Sequence, residues 1–222
     1  MTRMAPEDIR HLVVLGHPDP ASFNATVAAT YCEEIRRCGQ GAVLRDLYAI
    51  GFDPLLKADE RPETPGFEPA RDVRHELDLV ARSAAITLVY PLWFGMPPAI
   101  IKGYIDRVLG AGFMAQGIPA GARPPFLHGQ RLVILSSSAS TRPWLDELGQ
   151  WVSLRQAFDS YLTTIFAFES CEHQHFDAIA RGLKPRFIDE YLEQVRQQAR
   201  KTCSELLSER HAQAQHRPAT PA

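Results

Sequence analysis

The chain alternates between short apolar runs and amphipathic stretches. Residues 11–16 (HLVVLG) are nearly continuous in apolar character and stop at a glycine, the look of a strand covered on both faces. After a proline-containing turn, Ser22 can cap a helix whose Val27, Ala28, Tyr31, Cys32 and Ile35 fall on one stripe, ending near Gly39 and Gly41. Residues 42–47 predict a second strand, residues 53–69 a surface loop rich in proline and acid, and residues 69–81 a second helix. A third apolar run, 84–90 (AAITLVY), leads through a loop from Pro91 into a helix entered at Pro97 or Pro98, where a fixed φ and a missing N–H suit a first turn. Ile101, Tyr104, Ile105 and Val108 then recur at i, i+3, i+4 and i+7. Gly103 beside that stripe permits a close approach.

Residues 131–136 (RLVILS) predict a fourth strand, 144–158 a helical stretch, 162–168 a fifth strand and 185–207 a long final helix with its stripe on Ile188, Tyr191, Leu192, Val195 and Ala199. Five strands alternating with helices, most of the strands buried on both faces, imply a parallel sheet in a three-layer α/β/α sandwich. Such sheets bind ligands at the carboxyl ends of their strands, so the informative loops follow strands one, three and four. A single domain is expected over residues 1–207, with the polar segment 208–222 too poor in apolar surface to fold.

Composition narrows the function classes. Among 222 residues, 24 Lys and Arg stand against 26 Asp and Glu, a net charge of −2 that gives no steering toward nucleic acid or anionic lipid. No apolar run approaches the roughly 18 residues of a membrane span, and residues 1–10 lack the apolar core of a secretory signal. A cytoplasmic protein is the expectation. The four cysteines, Cys32, Cys38, Cys171 and Cys203, have no close metal spacing and are too few for a disulfide scaffold.

Two loops carry candidate chemistry. The first, His17-Pro18-Asp19-Pro20-Ala21-Ser22-Phe23-Asn24, brings a hydroxyl, a side-chain amide and backbone N–H groups to a helix N-terminus, which favours an anion such as phosphate. His17 could add a donor or, if protonated, a charge. A plain helix cap is the competing reading of Ser22 and Asn24. No GxGxxG and no GxxxxGK[ST] is present, so the dinucleotide and nucleoside-triphosphate fingerprints are excluded as owners of that phosphate. The second loop, Pro91-Leu92-Trp93-Phe94-Gly95-Met96-Pro97-Pro98, sets two aromatics on a proline-stiffened backbone at the same end of the sheet. It suits a planar aromatic ligand, against the alternative that Trp93 and Phe94 cover the core or a subunit contact.

Together these segments resemble the flavodoxin-like NAD(P)H:quinone oxidoreductase family. The resemblance rests on GHPDPASFN (16–24), RDLYAIGFDP (45–54), YPLWFGMPPAIIKGYIDRV (90–108) and the pair Gly112 and Phe113, and it weakens afterward. It implies a flavodoxin-like fold that holds FMN or FAD, with the phosphate groups on Ser22, Phe23 and Asn24, His17 nearby, and the flavin ring against Pro91, Leu92, Trp93 and Phe94. It also implies hydride transfer from NAD(P)H through the flavin to a quinone or similar small electrophilic acceptor, with ping-pong kinetics, and a homodimer that completes the pocket. Trp144 and Trp151 are candidates for that interface, although core packing is the favoured reading of both.

The chain departs from the family after strand four. Animal quinone reductases carry a Thr-Thr-Gly-Gly loop there, followed by a tyrosine and a histidine that manage protons. Here the residues are Ser136-Ser137-Ser138-Ala139-Ser140, with no Tyr or His before Ser160. Ser137 and Ser138 can offer hydroxyls and N–H groups to the ring, but the tyrosine–histidine relay does not transfer, and no catalytic side chain is assigned. Cys171, His173 and His175 have a C-x-H-x-H spacing that reads as a solvated polar loop rather than a metal site. Two other classes compete with the enzyme: an ancillary flavoprotein subunit regulating a membrane transport protein, and a flavodoxin-like electron carrier.

Overall fold

The computed structural model describes residues 9–61, 66–114 and 129–215. Strands β1 (Arg10–Leu15), β2 (Gly41–Asp46), β3 (Ala85–Pro91), β4 (Arg131–Ser137) and β5 (Ser170–Phe176) form one sheet in the order β2-β1-β3-β4-β5. Every neighbouring pair is parallel, with Leu12 opposite Ile86 and Ile86 opposite Leu132. Parallel neighbours require crossovers, and the helices supply them. These are α1 (Phe23–Arg37), α2 (Arg71–Ala81), α3 (Ala99–Tyr104), α4 (Gly110–Met114), α5 (Arg142–Glu147), α6 (Gln150–Leu154), α7 (Tyr161–Ile165) and α8 (Pro185–Gln215). Wider π-turns, Ile105–Leu109 and Arg155–Ser160, join α3 to α4 and α6 to α7.

The continuous apolar strands arise because both faces are covered. Val13, Leu15, Val89, Val133 and Leu135 pack against α1 and α8 through Val27, Tyr31, Ile35, Val195 and Ala199. Leu12, Val14, Ile86, Leu88 and Ile134 face the opposite layer, where Ile101, Tyr104, Val108, Trp151 and Phe158 lie. Burial of Ile101, Ile105 and Val108, at about 1.5–3 kcal/mol each, holds the α3 segment to the sheet as an upper bound before chain entropy is counted. Gly103 serves the close approach expected of it, since a Cβ there would collide with the backbone of Pro54.

The loop after β2 is tied down by one guanidinium. Arg107, on the π-turn after α3, has a side chain 1% exposed. Its Nε donates to Glu60 at 2.9 Å, and its Nη1 donates to the Asp53 carbonyl at 2.6 Å and to Asp72 at 2.8 Å. A buried cation needs such partners, and here they come from three separate places in the chain.

Two expectations are corrected. The fifth strand is residues 170–176 rather than 162–168, because Phe158, Leu162 and Phe166 bury one helical face and continue the helical layer. The true β5 looks polar in sequence because its side chains pair in the interior and with α8, where Glu172 accepts from Gln198 and Lys201, both at 2.8 Å. The final helix does not stop at Leu207 but runs to Gln215, so 208–215 extend α8. Residues 1–8, read as lacking a signal, residues 62–65 of the predicted surface loop, and residues 216–222 of the predicted tail lie outside the described residues.

Candidate functional site

The strand order reverses between β1 and β3, so their loops diverge to opposite sides and leave a crevice at the carboxyl edge of the sheet. Gly16 N–H donates to Val89 O at 2.9 Å, extending the sheet to the start of the first loop. That loop is held by local bonds. Asp19 N–H donates to His17 Nδ1 at 3.0 Å, Ala21 N–H to Asp19 Oδ1 at 2.9 Å, and Ser22 N–H to Asp19 O at 3.1 Å. Because His17 Nδ1 accepts a backbone N–H, the proton of the neutral ring sits on Nε2, which becomes an outward donor.

Ser22 is the N-cap of α1, and its Oγ accepts from Ala25 N–H at 3.1 Å. The plain-cap reading of Ser22 is therefore correct as far as its side chain goes. Helix geometry leaves the N–H groups of Phe23 and Asn24 without a partner inside the helix, and these are the donors an anion could take. The ring of Phe23 turns inward and meets Phe176 at 5.6 Å and Tyr191 at 6.1 Å, so only its backbone can serve a ligand. Asn24 is buried as well.

The second loop forms a tight hairpin. Trp93 N–H donates to Met96 O at 3.0 Å and Met96 N–H donates back to Trp93 O at 3.1 Å. The two residues between them, Phe94 at φ 52° and Gly95 at φ 82°, are both left-handed, the geometry of a mirror-image type I′ turn. Phe94 is fully exposed and Trp93 is 41% exposed, which removes the reading in which they cap the core of this chain. Leu92 N–H donates to Ser137 O at 2.6 Å, and Leu92 packs partly on the core. The N–H groups of Leu92 and Trp93 are thus engaged within the protein, leaving those of Phe94 and Gly95 outside the hairpin bonds.

Ser137 is the hub. It lies opposite Pro91 in the β3–β4 register, accepts Leu92 N–H, and donates its hydroxyl to Asn24 Oδ1 at 2.8 Å. His17 and Trp93 close the remaining side, with ring centroids 5.8 Å apart. All ten site residues expected from the sequence, His17, Ser22, Phe23, Asn24, Pro91, Leu92, Trp93, Phe94, Ser137 and Ser138, therefore belong to three loops or strand ends bonded or stacked to one another. The arrangement combines N–H donors at a helix N-terminus with an exposed aromatic hairpin. Those are the two requirements of a ligand with an anionic tail and a planar head.

Sequence reasoning missed the interior behind Ser137. His173 and His175 are not in a loop but on β5, facing the same layer as Trp151, whose ring lies 4.8 Å from one and 5.2 Å from the other. Ser136 Oγ is within 2.6 Å of His173 Nε2 and 2.8 Å of His175 Nδ1. The alternation of Cys171, His173 and His175 at every second residue was the available signal, since it is the period of a strand. Of the two tryptophans weighed for an interface, Trp151 is core and Trp144 is exposed.

A doubly wound parallel sheet of this order, with its donors and aromatics at the switch between β1 and β3, defines a flavodoxin-like protein. The chain belongs to the Flavodoxin_2 family, described by its flavodoxin-like fold, whose model matches residues 9–202. It is 37% identical over 106 residues to a Haemophilus influenzae protein described as an uncharacterized NAD(P)H oxidoreductase, covering 47% of this chain and 52% of that one. It is 32% identical over 149 residues to NAD(P)H dehydrogenase [quinone] 1 of Rattus norvegicus, covering 59% of this chain and 54% of that one. The chain thus spans about half the length of these curated relatives. Among solved structures, the NAD(P)H:quinone oxidoreductase from Methanothermobacter marburgensis superposes with a TM-score of 0.76 at 22% identity, covering 88% of this chain and 96% of that one. No helix among the described residues is long and apolar enough to cross a membrane.

Proposed function

We propose that this protein is a flavin-dependent NAD(P)H oxidoreductase that reduces quinones or comparable electrophiles. The observation that carries the reading is the Ser137 hub, which ties the anion-type loop of α1 to the aromatic hairpin after β3. The names of the two curated relatives support the same chemistry. FMN or FAD suits the residues present, because the donors at Phe23 and Asn24 match a phosphate and the Trp93–Phe94 surface matches a flat ring. When bound, a flavin supplies two-electron chemistry, taking hydride from a nicotinamide and passing reducing equivalents to an acceptor.

The residues of the chain bind and orient. Phe23 and Asn24 N–H would hold the phosphate at the positive end of α1, and His17 Nε2–H would add a donor beside it. Trp93 and Phe94 would offer their faces to the ring and Phe94 and Gly95 N–H would offer dipoles to its polar edge, whereas the Ser138 N–H is taken by Phe176 O at 3.0 Å and its hydroxyl by Ser140 O at 2.8 Å. Fixed dipoles there favour negative charge on the ring without reorganising.

A homodimer is part of the proposal. Trp144, Leu148, Val152 and Tyr161 are all more than half exposed along α5–α7, an apolar surface that a second copy would cover. The test is reconstitution with FMN and with FAD, identification of the retained flavin by mass after denaturation, and NAD(P)H oxidation with quinone, azo and nitro acceptors. A yellow dimer bleached by NAD(P)H is expected. Protein that stays colourless with either flavin defeats the reading.

A further inference from the structure

A hydrogen-bonded line crosses the interior from the π-turn after α6 to the carboxyl edge of the sheet. Asp159 Oδ2 lies 2.7 Å from His173 Nδ1, His173 Nε2 lies 2.6 Å from Ser136 Oγ, and Ser136 Oγ lies 2.8 Å from His175 Nδ1. His175 Nε2 lies 3.0 Å from Ser138 Oγ, and Ser138 Oγ donates to Ser140 O at 2.8 Å. The first three groups have the order of an acid–base–nucleophile triad. Ser136 is wholly buried, however, and a second imidazole already occupies its hydroxyl, so attack on a substrate is excluded.

Counting protons gives the line its meaning. Five hydrogen bonds need five protons. Two neutral imidazoles and two hydroxyls supply one each, which makes four. The Asp159 carboxylate supplies none, because Arg155 Nε already donates to the same Oδ2 at 2.9 Å. Every bond is made only when one further proton is present.

We infer that Asp159, His173, Ser136, His175 and Ser138 form a proton relay that stores one proton on His173 and releases it at the Ser138 hydroxyl, beside the candidate ligand site. In the loaded state His173 carries protons on both nitrogens, Ser136 donates to His175 Nδ1, and His175 Nε2–H donates to Ser138. On discharge the Ser138 hydroxyl turns from Ser140 O and gives its proton to the acceptor, the His175 Nε2 proton moves to Ser138, the Ser136 proton moves to His175 Nδ1, and the His173 Nε2 proton moves to Ser136. Both imidazoles finish neutral, and one proton has been delivered. Reduction of a quinone by hydride equivalents needs such a proton, and to that extent the role rests on the oxidoreductase reading.

The surroundings place the stored charge on His173 rather than His175. Burial, then the neighbouring His173 and Arg142, hold His175 down at about 4 despite the opposing pull of Asp177. Arg142 sits over the Trp151 ring at 4.0 Å, and the two imidazoles pack against the same ring at 4.8 and 5.2 Å. His173 instead faces the Asp159 carboxylate, whose Oδ2 it shares with Arg155 Nε, and Cys171 lies two residues away on β5. From β3, burial, and after it the charge of Asp159, raises the Tyr90 phenol well above the ordinary range.

Nitrogen NMR of ¹⁵N-histidine-labelled protein without flavin, titrated between pH 6 and 10, tests the wiring. Loss of a single proton must move His175 from the Nε2–H to the Nδ1–H tautomer although His175 itself never becomes charged. Ser136→Ala must abolish that switch, and Asp159→Asn must hold His175 in the Nδ1–H form at neutral pH. A His175 tautomer that ignores pH in the wild type, or switches unchanged in Ser136→Ala, overturns the relay. With flavin bound, Ser136→Ala should leave bleaching by NAD(P)H within about twofold and slow reoxidation by a quinone on the order of 10²-fold. Equal reoxidation rates in the two proteins overturn the delivery step. A colourless protein whose His175 still switches defeats the flavin reading and leaves the relay standing.

Discussion

Ser137 on β4 donates its hydroxyl to Asn24 Oδ1 on α1 at 2.8 Å, joining residues 113 positions apart at the carboxyl edge of the sheet. Both side chains are buried, so the bond has no water to replace it. It sets the first turn of α1 against the strand that also receives the aromatic hairpin.

Ser137→Ala leaves Asn24 Oδ1 buried without its donor. The expected cost is about 1–3 kcal/mol in denaturant unfolding, together with weaker flavin retention in a fluorescence titration. Unchanged retention would show that the two loops need not be tied to grip a ligand.

Phe94 occupies a left-handed position at φ 52°, followed by Gly95 in the same region. Asn-Gly is the pair such a turn prefers. Phe94→Asn should therefore stabilise the fold by about 0.5–1 kcal/mol while weakening flavin binding and acceptor turnover. A rise in thermal midpoint with full activity would mean that the exposed ring is not used.

Gly103→Ala drives a Cβ into the Pro54 backbone. Backbone cannot swing aside like a side chain, so a loss of about 1–3 kcal/mol is expected in chemical denaturation. Val108→Ala, on the same helical segment, should cost a similar amount through a cavity instead.

Arg107→Ala leaves Glu60 without the guanidinium that holds its carboxyl below the usual glutamate value of 4.5. Removing one partner of a buried pair costs about 3–5 kcal/mol. The pH dependence has a definite sign. A depressed folded pKa contributes stability that is complete above the unfolded value and disappears as pH falls through the folded one. The wild type should lose thermal stability on acidification below pH 4.5, and Arg107→Gln should flatten that slope.

What the amino-acid order determined by itself was the centre of the sheet. Three strands, β1, β3 and β4, are buried on both faces, and continuous apolar runs betray them without any knowledge of their partners; the helix cap at Ser22 is equally local. The family resemblance then joined these pieces into one candidate site, and the three-dimensional packing brought all of them to a single edge. Tertiary structure alone decided the rest. β5 hides in a polar stretch because His173 and His175 are satisfied by Ser136 and Ser138 from β4, and Asp159 joins them from a helical turn. Hydrogen bonds between distant residues leave no periodic mark, since each donor depends on an acceptor that only the folded chain supplies.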